Sequence, residues 1–140
     1  MKKIIGLFMF LVAVSANATI VTFDDVSTDT ATPFVSGGLL FNGLSSYAWN
    51  TNGGSSDNGT QALIVGYGGG VTITRDGGGL FSIDSLEAGL SWYTALPSFE
   101  VNVGSETIIL GSGYSTYSFS SLTNISSLTI TPSPLDGYIA

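Results

Sequence analysis

Short runs of alternating apolar and polar residues, each closed by a glycine-rich turn, recur along almost the whole chain. No stretch keeps the i, i+3, i+4 apolar stripe of an amphipathic helix beyond two turns. Many short strands at regular spacing are typical of a sandwich or a barrel, so the sequence predicts an all-β fold. The predicted strands are Ile20–Phe23, Leu39–Phe41, Tyr47–Trp49, Ala62–Val65, Val71–Thr74, Leu86–Tyr93, Phe99–Val103, Thr107–Leu110, Tyr114–Phe119 and Ser127–Thr131.

The alternation inside these runs predicts which side chains form the core, because successive strand residues point to opposite faces. In the run Leu86–Tyr93, Trp92 is predicted in the core and Tyr93 outside. In the run Phe99–Val103, Glu100 and Asn102 are predicted outside. The triple glycines at 68–70 and 77–79 are predicted as hairpin turns.

The first 18 residues are typical of a secretory signal peptide. Lys2 and Lys3 precede an apolar run, Ile4–Val14, that is too short to span a bilayer, and Ala16–Ala18 forms a small-x-small cleavage site. We therefore expect residues 1–18 to be removed and residues 19–140 to form one domain. The expected location is secreted, periplasmic or at the cell surface.

Charge and composition exclude several classes of function. Once Lys2 and Lys3 are removed, Arg75 is the only basic side chain against ten acidic residues. Nucleic acids and anionic membrane surfaces are bound by clustered basic residues, so neither is an expected partner after cleavage. The chain has no His and no Cys, which excludes Ser-His-Asp and Cys-His catalysis and the usual zinc sites. We expect no enzymatic activity.

Aromatic and polar side chains on the predicted outer surfaces are candidates for binding sugars, because a flat ring matches the CH face of a pyranose. Trp49 and Tyr47 border the polar loop "TNGGSSDNG", where binding residues concentrate. Tyr93 lies beside Glu87, and across the sheet we place Glu100 and Asn102. The candidate ligand-binding residues are Tyr93, Trp49, Tyr47, Glu87, Glu100 and Asn102.

Each of these residues also has a second interpretation. The aromatic side chains can equally pack in the core or at its rim. Glu87 and Glu100 can be a solvated outer face, or the paired carboxylates of a glycoside hydrolase. The sequence alone leaves both interpretations open.

Asp24 and Asp25 end the first predicted strand in a chain that otherwise carries few charges. Adjacent carboxylates repel, and no basic residue lies near them in sequence. One interpretation is a turn in which the carboxylates accept hydrogen bonds from backbone N–H groups. The other is a structural Ca²⁺ site, since carboxylate oxygens are the hard ligands that Ca²⁺ prefers.

Three segments resemble the secreted bacterial β-sandwich domains of proteins with a PEP-CTERM sorting tail: "IVTFDDV", "FSIDSLEAGLSWY" and "YSTYSFSSLTNISSLTITPS". These domains are similar to jelly-roll carbohydrate-binding modules. The resemblance implies a two-sheet antiparallel jelly roll that is non-catalytic and works in exopolysaccharide or surface settings. It also implies a Ca²⁺ that ties the first strand to the last, held by Asp24, Asp25 and, near the chain's end, Asp136.

The resemblance stops short at the C-terminal end. The family's last strand, of the type Ala-x-Asp-Asn-Ile, and its sorting tail do not follow Ala140. We therefore expect a copy truncated at its last strand.

Together these observations predict an exported, non-catalytic module that binds a glycan or another component of the cell surface or extracellular matrix. A structural or protein-interaction protein without a sugar site is the alternative. A glycosidase or polysaccharide lyase is a third possibility.

Overall fold

The computed structural model describes residues 20–50, 61–89, 99–111 and 113–132; for residues 44–50, 66–68 and 99 it describes the backbone only. The predicted signal peptide, Trp92, Tyr93 and Asp136 lie outside these residues. Among the described residues there is no helix, so the all-β prediction is confirmed. The strands are β1 (Phe34–Ser36), β2 (Leu39–Asn50), β3 (Gln61–Arg75), β4 (Ser85–Ala88), β5 (Phe99–Val103), β6 (Glu106–Leu110), β7 (Ser115–Ser118) and β8 (Ser127–Pro132).

The strands form two antiparallel sheets. The larger sheet has six strands in the order β1-β2-β3-β8-β5-β6, and the smaller sheet pairs β4 with β7. In the larger sheet β8 lies between β3 and β5, so that Ile130 is opposite Val71 on one side and Val103 on the other. Two parts of the chain that are distant in sequence therefore share one sheet through β8.

The core lies on one face of the six-stranded sheet. Val71, Val103 and Leu128 are almost completely buried there, and Leu86 and Tyr117 of the smaller sheet pack against this cluster. The outward prediction for Glu100 is confirmed by its exposure beside the buried Val101. In β5, strand alternation therefore identified the buried face correctly.

In two places, two predicted strands belong to one continuous strand of the structure. Leu39–Phe41 and Tyr47–Trp49 both belong to β2, and Ala62–Val65 and Val71–Thr74 both belong to β3. The prediction of a hairpin turn at residues 68–70 is wrong, because these glycines lie inside β3.

A register shift explains how β3 accommodates its glycines. Leu44 pairs with Gly70 while Ser46 pairs with Val65, so more residues of β3 than of β2 lie between the two pairs. The backbones approach closely here, since a Cβ atom on Gly43 would lie 2.0 Å from the carbonyl oxygen of Gly70. Glycine inside a strand commonly marks such an irregularity.

The second glycine triplet, residues 77–79, does form a turn, but the hairpin prediction is wrong. The strand after the turn is β4, which pairs with β7 and not with β3. The Arg75 side chain spans this turn, because its Nη1 donates a hydrogen bond to the carbonyl oxygen of Leu80 at 3.2 Å.

The first predicted strand, Ile20–Phe23, is not a strand. Phe23 has a left-handed backbone conformation, with φ of 61°, and the amide of Val26 donates to its carbonyl oxygen at 3.1 Å to form a turn. The Phe23 ring packs edge-on against Phe41, with 5.1 Å between the ring centroids. Phe23 is therefore half-buried by ring packing on β2 and not by strand pairing, while Ile20 at the start of the run is exposed.

Candidate functional site

Asp24 and Asp25 lie in the turn that follows Phe23, and each carboxylate accepts hydrogen bonds from a different part of the large sheet. Asp25 accepts from the Ser36 hydroxyl at 2.5 Å and from the Gly37 amide at 3.0 Å. Asp24 accepts from the backbone amide of Gln61 at 3.0 Å. We call these two carboxylates and their three donors, Ser36, Gly37 and Gln61, the aspartate clasp.

The β1–β2 hairpin positions the two groups that donate hydrogen bonds to Asp25. Ser36 pairs with Leu39, and Gly37 and Gly38 form a two-residue turn between them. Both glycines have positive φ, 56° and 77°, which glycine adopts without steric cost. The turn leaves the Gly37 amide available to a side-chain acceptor, and Asp25 supplies that acceptor.

The other half of the clasp holds the start of β3. Gln61 is the first residue of this strand, and its amide donates to Asp24. Its side-chain Nε2 also donates to the carbonyl oxygen of Val26 at 2.8 Å. Because Asp24 and Val26 belong to the same turn, two hydrogen bonds fix the turn to the strand.

Hydrogen bonding favours the ionised form of Asp25. The Ser36 hydroxyl, and after it the Gly37 amide, hold the pKa of the Asp25 carboxyl below its usual range, while burial acts weakly in the opposite direction. Donors that bond to a carboxylate stabilise its ionised form. Asp25 is therefore an anion in the folded protein at neutral pH.

The clasp alone does not supply a calcium site. Both oxygens of Asp25 and one oxygen of Asp24 already accept hydrogen bonds, whereas Ca²⁺ takes about six to eight oxygen ligands. In the part of the chain that the structure describes, no three acidic, His or Cys side chains are grouped to hold a metal. The Ca²⁺ prediction thus depends on ligands outside this part, such as Asp136, and it stays a prediction.

A small open cavity lies beside the clasp. Its volume is about 200 Å³, and it is lined by Ile20, Val21, Thr22, Asp25, Ser36 and Gly37. The segment before the turn fits closely against the β1–β2 hairpin, since a Cβ atom on Gly37 would lie 2.7 Å from Cγ2 of Val21. The cavity therefore combines apolar walls with one carboxylate.

The predicted sugar-binding residues are distributed over both sheets. Glu100 and Asn102 lie on β5, in the six-stranded sheet, whereas Glu87 lies on β4, in the two-stranded sheet. The expectation that Glu87 faces Glu100 and Asn102 across one sheet is wrong, because β4 pairs with β7. The binding role of each residue stays a prediction.

The aromatic candidates are less well defined. Tyr47 and Trp49 lie on β2 opposite Ile64 and Ala62, but their side chains fall outside the described part, as does the whole of Tyr93. Trp49 is the last residue but one of β2, and β3 begins at Gln61. The predicted polar loop, Thr51–Gly59, lies outside the described residues.

Strand pairing brings together, on the outer face of the six-stranded sheet, a set of polar residues that are far apart in sequence. Strand pairing places Asn42 opposite Thr72 and Thr72 opposite Thr129, and it places Thr131 opposite Asn102 and Asn102 opposite Thr107. We call this surface the threonine face; it consists of Asn42, Thr72, Thr129, Thr131, Asn102 and Thr107.

Side-chain contacts run between the strands of the threonine face. The hydroxyl oxygens of Thr72 and Thr129 are 3.3 Å apart, and the Thr107 hydroxyl donates to Oδ1 of Asn102 at 2.9 Å. Five of its six residues are exposed, and Asn102 is half-buried. At one margin Glu100, which is exposed, lies opposite Ile109, which is 63% exposed.

Comparisons of the chain with protein-family models, curated protein sequences and solved structures gave no match. Within the described ranges, no helix has the length and apolar character needed to cross a bilayer.

Proposed function

We propose that the chain is an exported, non-catalytic β-sandwich module of the jelly-roll type, and that its threonine face binds a neutral glycan. The sequence features that support export are the basic, apolar and small-residue segments within residues 1–18. The observation that carries the binding proposal is the array of hydroxyl and amide groups across five strands of the larger sheet.

The chemistry of the face fits a ligand rich in hydroxyl groups. Threonine hydroxyls and asparagine amides both donate and accept hydrogen bonds, as sugar hydroxyls do. None of the six residues is charged, so the face offers no counter-ion to an anionic polymer. A neutral polysaccharide is therefore the ligand class that the surface favours.

The dimensions of the face favour an extended ligand. Neighbouring strands lie about 4.8 Å apart, so the five adjacent strands β2, β3, β8, β5 and β6 span about 19 Å. Threonine and asparagine side chains are short, which keeps this surface shallow. An extended chain lying across the strands would contact several of these side chains together.

The placement of the two candidate carboxylates supports a non-catalytic role. A glycoside hydrolase needs its carboxyl groups about 5–10 Å apart on either side of the scissile bond. Glu87 and Glu100 belong to different sheets, and each is exposed on a strand whose alternate residues pack on the core. Side chains that point away from one core on two different sheets do not favour the short carboxyl separation that this reaction needs.

Affinity electrophoresis in gels that contain neutral or anionic polysaccharides tests the proposal. The informative variant is Thr72→Val with Thr129→Val, which removes two hydroxyls and nearly preserves side-chain shape. Thr116→Val is the matched control, because Thr116 is exposed on β7 in the other sheet. We expect a neutral polysaccharide to retard the wild type and the control but not the double variant.

Two results would contradict the proposal. Retardation of the double variant equal to that of the wild type would remove the threonine face from binding. A chain that no polysaccharide retards would favour the structural or protein-interaction alternative.

A further inference from the structure

The strand β6 forms one margin of the larger sheet. Among the described strands it pairs with β5 alone. A strand in this position presents main-chain N–H and C=O groups with which another chain can pair, and proteins commonly protect it with Lys, Pro or a bulge. The sequence of β6, "ETIIL", has neither Lys nor Pro, and its register with β5 is regular over all five residues. Its Ile109 side chain is also exposed.

The register of the β5–β6 hairpin determines which main-chain groups of β6 face outward. In an antiparallel pair, the main-chain groups of successive residues point alternately toward and away from the neighbouring strand. Val103 and Glu106 flank a two-residue turn and form the first hydrogen-bonded pair, and Ile108 follows with the same direction. The main-chain groups of Thr107 and Ile109 therefore point away from β5.

The Tyr117 hydroxyl occupies one of these outward groups. Tyr117 lies on β7, in the smaller sheet, and its side chain packs against the core. Its hydroxyl donates to the carbonyl oxygen of Ile109 at 2.9 Å. Because that carbonyl points away from β5, the hydroxyl lies on the open side of β6, where a further strand would pair.

A second contact brings the segment after β7 to the same strand. The Ser121 hydroxyl donates to the Glu106 carboxylate. Between Tyr117 and Ser121 the contacts move from Ile109 back to Glu106, so this segment runs in the opposite direction to β6. Two hydrogen bonds therefore hold the segment against β6.

We infer that the Tyr117 hydroxyl closes the open side of β6 against a second copy of this chain, and that two copies pair through β6 when the hydroxyl is removed. The inference does not rest on glycan binding, because it concerns the edge of the larger sheet and not the threonine face.

The order of residues in β6 favours a second copy as the pairing partner. A two-fold axis at Ile108 places Thr107 opposite Ile109 of the second copy, and Ile109 opposite its Thr107. These are the two residues whose main-chain groups face outward, so this antiparallel register pairs all of those groups. Glu106, the only charged residue of the strand, then lies opposite Leu110 of the second copy. The two carboxylates are kept at opposite ends, which avoids like charges in a directly opposed pair.

This register needs the Ile109 carbonyl as the acceptor for the Thr107 amide of the second copy. The Tyr117 hydroxyl already donates to that oxygen, and it lies on the side from which the second strand would approach. Each copy has to give up this hydrogen bond before it pairs, so formation of one dimer breaks two such bonds.

Sedimentation velocity of the wild type and Tyr117→Phe over a concentration series tests the inference. The substitution removes the hydroxyl and keeps the ring that packs on the core. We expect the wild type to be monomeric where Tyr117→Phe dimerises, with at least about tenfold tighter association in the variant, because two hydrogen bonds of ordinary net strength no longer have to be broken. Amide hydrogen exchange should show the Thr107 and Ile109 amides protected in the dimer and exchanging faster in the wild type.

Two further variants control this comparison. Thr116→Val also removes a hydroxyl from β7, at an exposed position next to Tyr117, and it should remain monomeric like the wild type. Ile109→Lys, added to Tyr117→Phe, places a charge on the edge strand at an exposed position, and it should restore the monomer. The melting curve of each variant confirms that it is folded.

Three outcomes would overturn the inference. Equal association of the wild type and Tyr117→Phe across the series would show that the hydroxyl does not guard the edge. Dimerisation of Tyr117→Phe that Ile109→Lys leaves unchanged would place the contact elsewhere on the molecule. A dimer in which the Thr107 amide exchanges as fast as in the wild type would exclude pairing through β6.

Discussion

Ser36 and Asp25, eleven residues apart in sequence, are joined by a hydrogen bond from the serine hydroxyl to the aspartate carboxylate. Ser36 is 1% exposed and is the one buried polar side chain among the residues whose burial is described. Because so little of Ser36 is exposed to water, Asp25 supplies the acceptor for its hydroxyl. The bond fixes the N-terminal segment to the edge of the larger sheet.

Loss of this acceptor should destabilise the fold. Asp25→Ala leaves the Ser36 hydroxyl buried without its carboxylate, and we expect a cost of about 1–3 kcal/mol in the free energy of unfolding. Urea unfolding of Asp25→Ala, Ser36→Ala and the double variant measures the coupling between the two residues. If the two single effects simply add, the hydrogen bond contributes nothing to stability.

Acid should weaken the clasp. The Ser36 hydroxyl and the Gly37 amide lower the pKa of Asp25 in the folded state, while the unfolded value is about 3.9. The contribution of Asp25 is therefore present above about pH 3.9 and is lost as the pH falls through the lower folded value. Between pH 6 and pH 3, the wild type should lose more unfolding free energy than Asp25→Ala. Equal losses in the two proteins would contradict this assignment.

The close approach of β2 and β3 should make Gly43 intolerant of any side chain. A Cβ atom there would overlap the carbonyl oxygen of Gly70, so Gly43→Ala must displace the backbone, and we expect a loss above about 3 kcal/mol. Gly111 has no atom within 4 Å of the corresponding position. Gly111→Ala should change stability by less than about 1 kcal/mol. Similar unfolding midpoints for the two variants would refute the close approach of β2 and β3 at Gly43.

The burial of β8 can be tested against the exposure of β6. Leu128 is 2% exposed, and Leu128→Ala should cost about 2–5 kcal/mol through lost burial and the cavity it leaves. Ile109 is 63% exposed, and Ile109→Ala should cost less than about 1 kcal/mol. Thermal or urea unfolding of the two variants gives the comparison. A larger effect at Ile109 would mean that the two faces of the sheet are assigned the wrong way round.

The sequence was most informative where the determining interactions are local. Alternation has a period of two residues, so it placed Glu100 on the outer face of β5 without knowledge of that strand's partners. It failed at Phe23, whose apolar character is satisfied by contact with β1 and β2 and not by strand pairing. It also failed at residues 68–70, because glycines that suggest a turn are needed there for close backbone contact with β2.

Features that depend on distant pairing could not be predicted in the same way. The runs "VTIT" and "LTIT" each place threonines on alternate positions, which is a signal for two hydroxyl-bearing strands. Nothing in either run shows that β3 and β8 are neighbours, so the threonine face was not recognised. A turn is one of the two interpretations that the sequence offers for Asp24 and Asp25, but their donors Ser36 and Gln61 are too remote in sequence to be predicted.

The position of β8 between β3 and β5 also governs when this sheet can form during synthesis. Contacts such as that between Thr72 and Thr129 close a separation of 57 residues, and folds dominated by such contacts form in about milliseconds to seconds. Until residues 127–132 emerge, β3 and β5 each lack a neighbour, and the two parts of the sheet remain unconnected. The strand that joins the two parts of the sheet, β8, is therefore among the last of the described strands to be made. A chain exported during its synthesis would still have this sheet unformed when export begins.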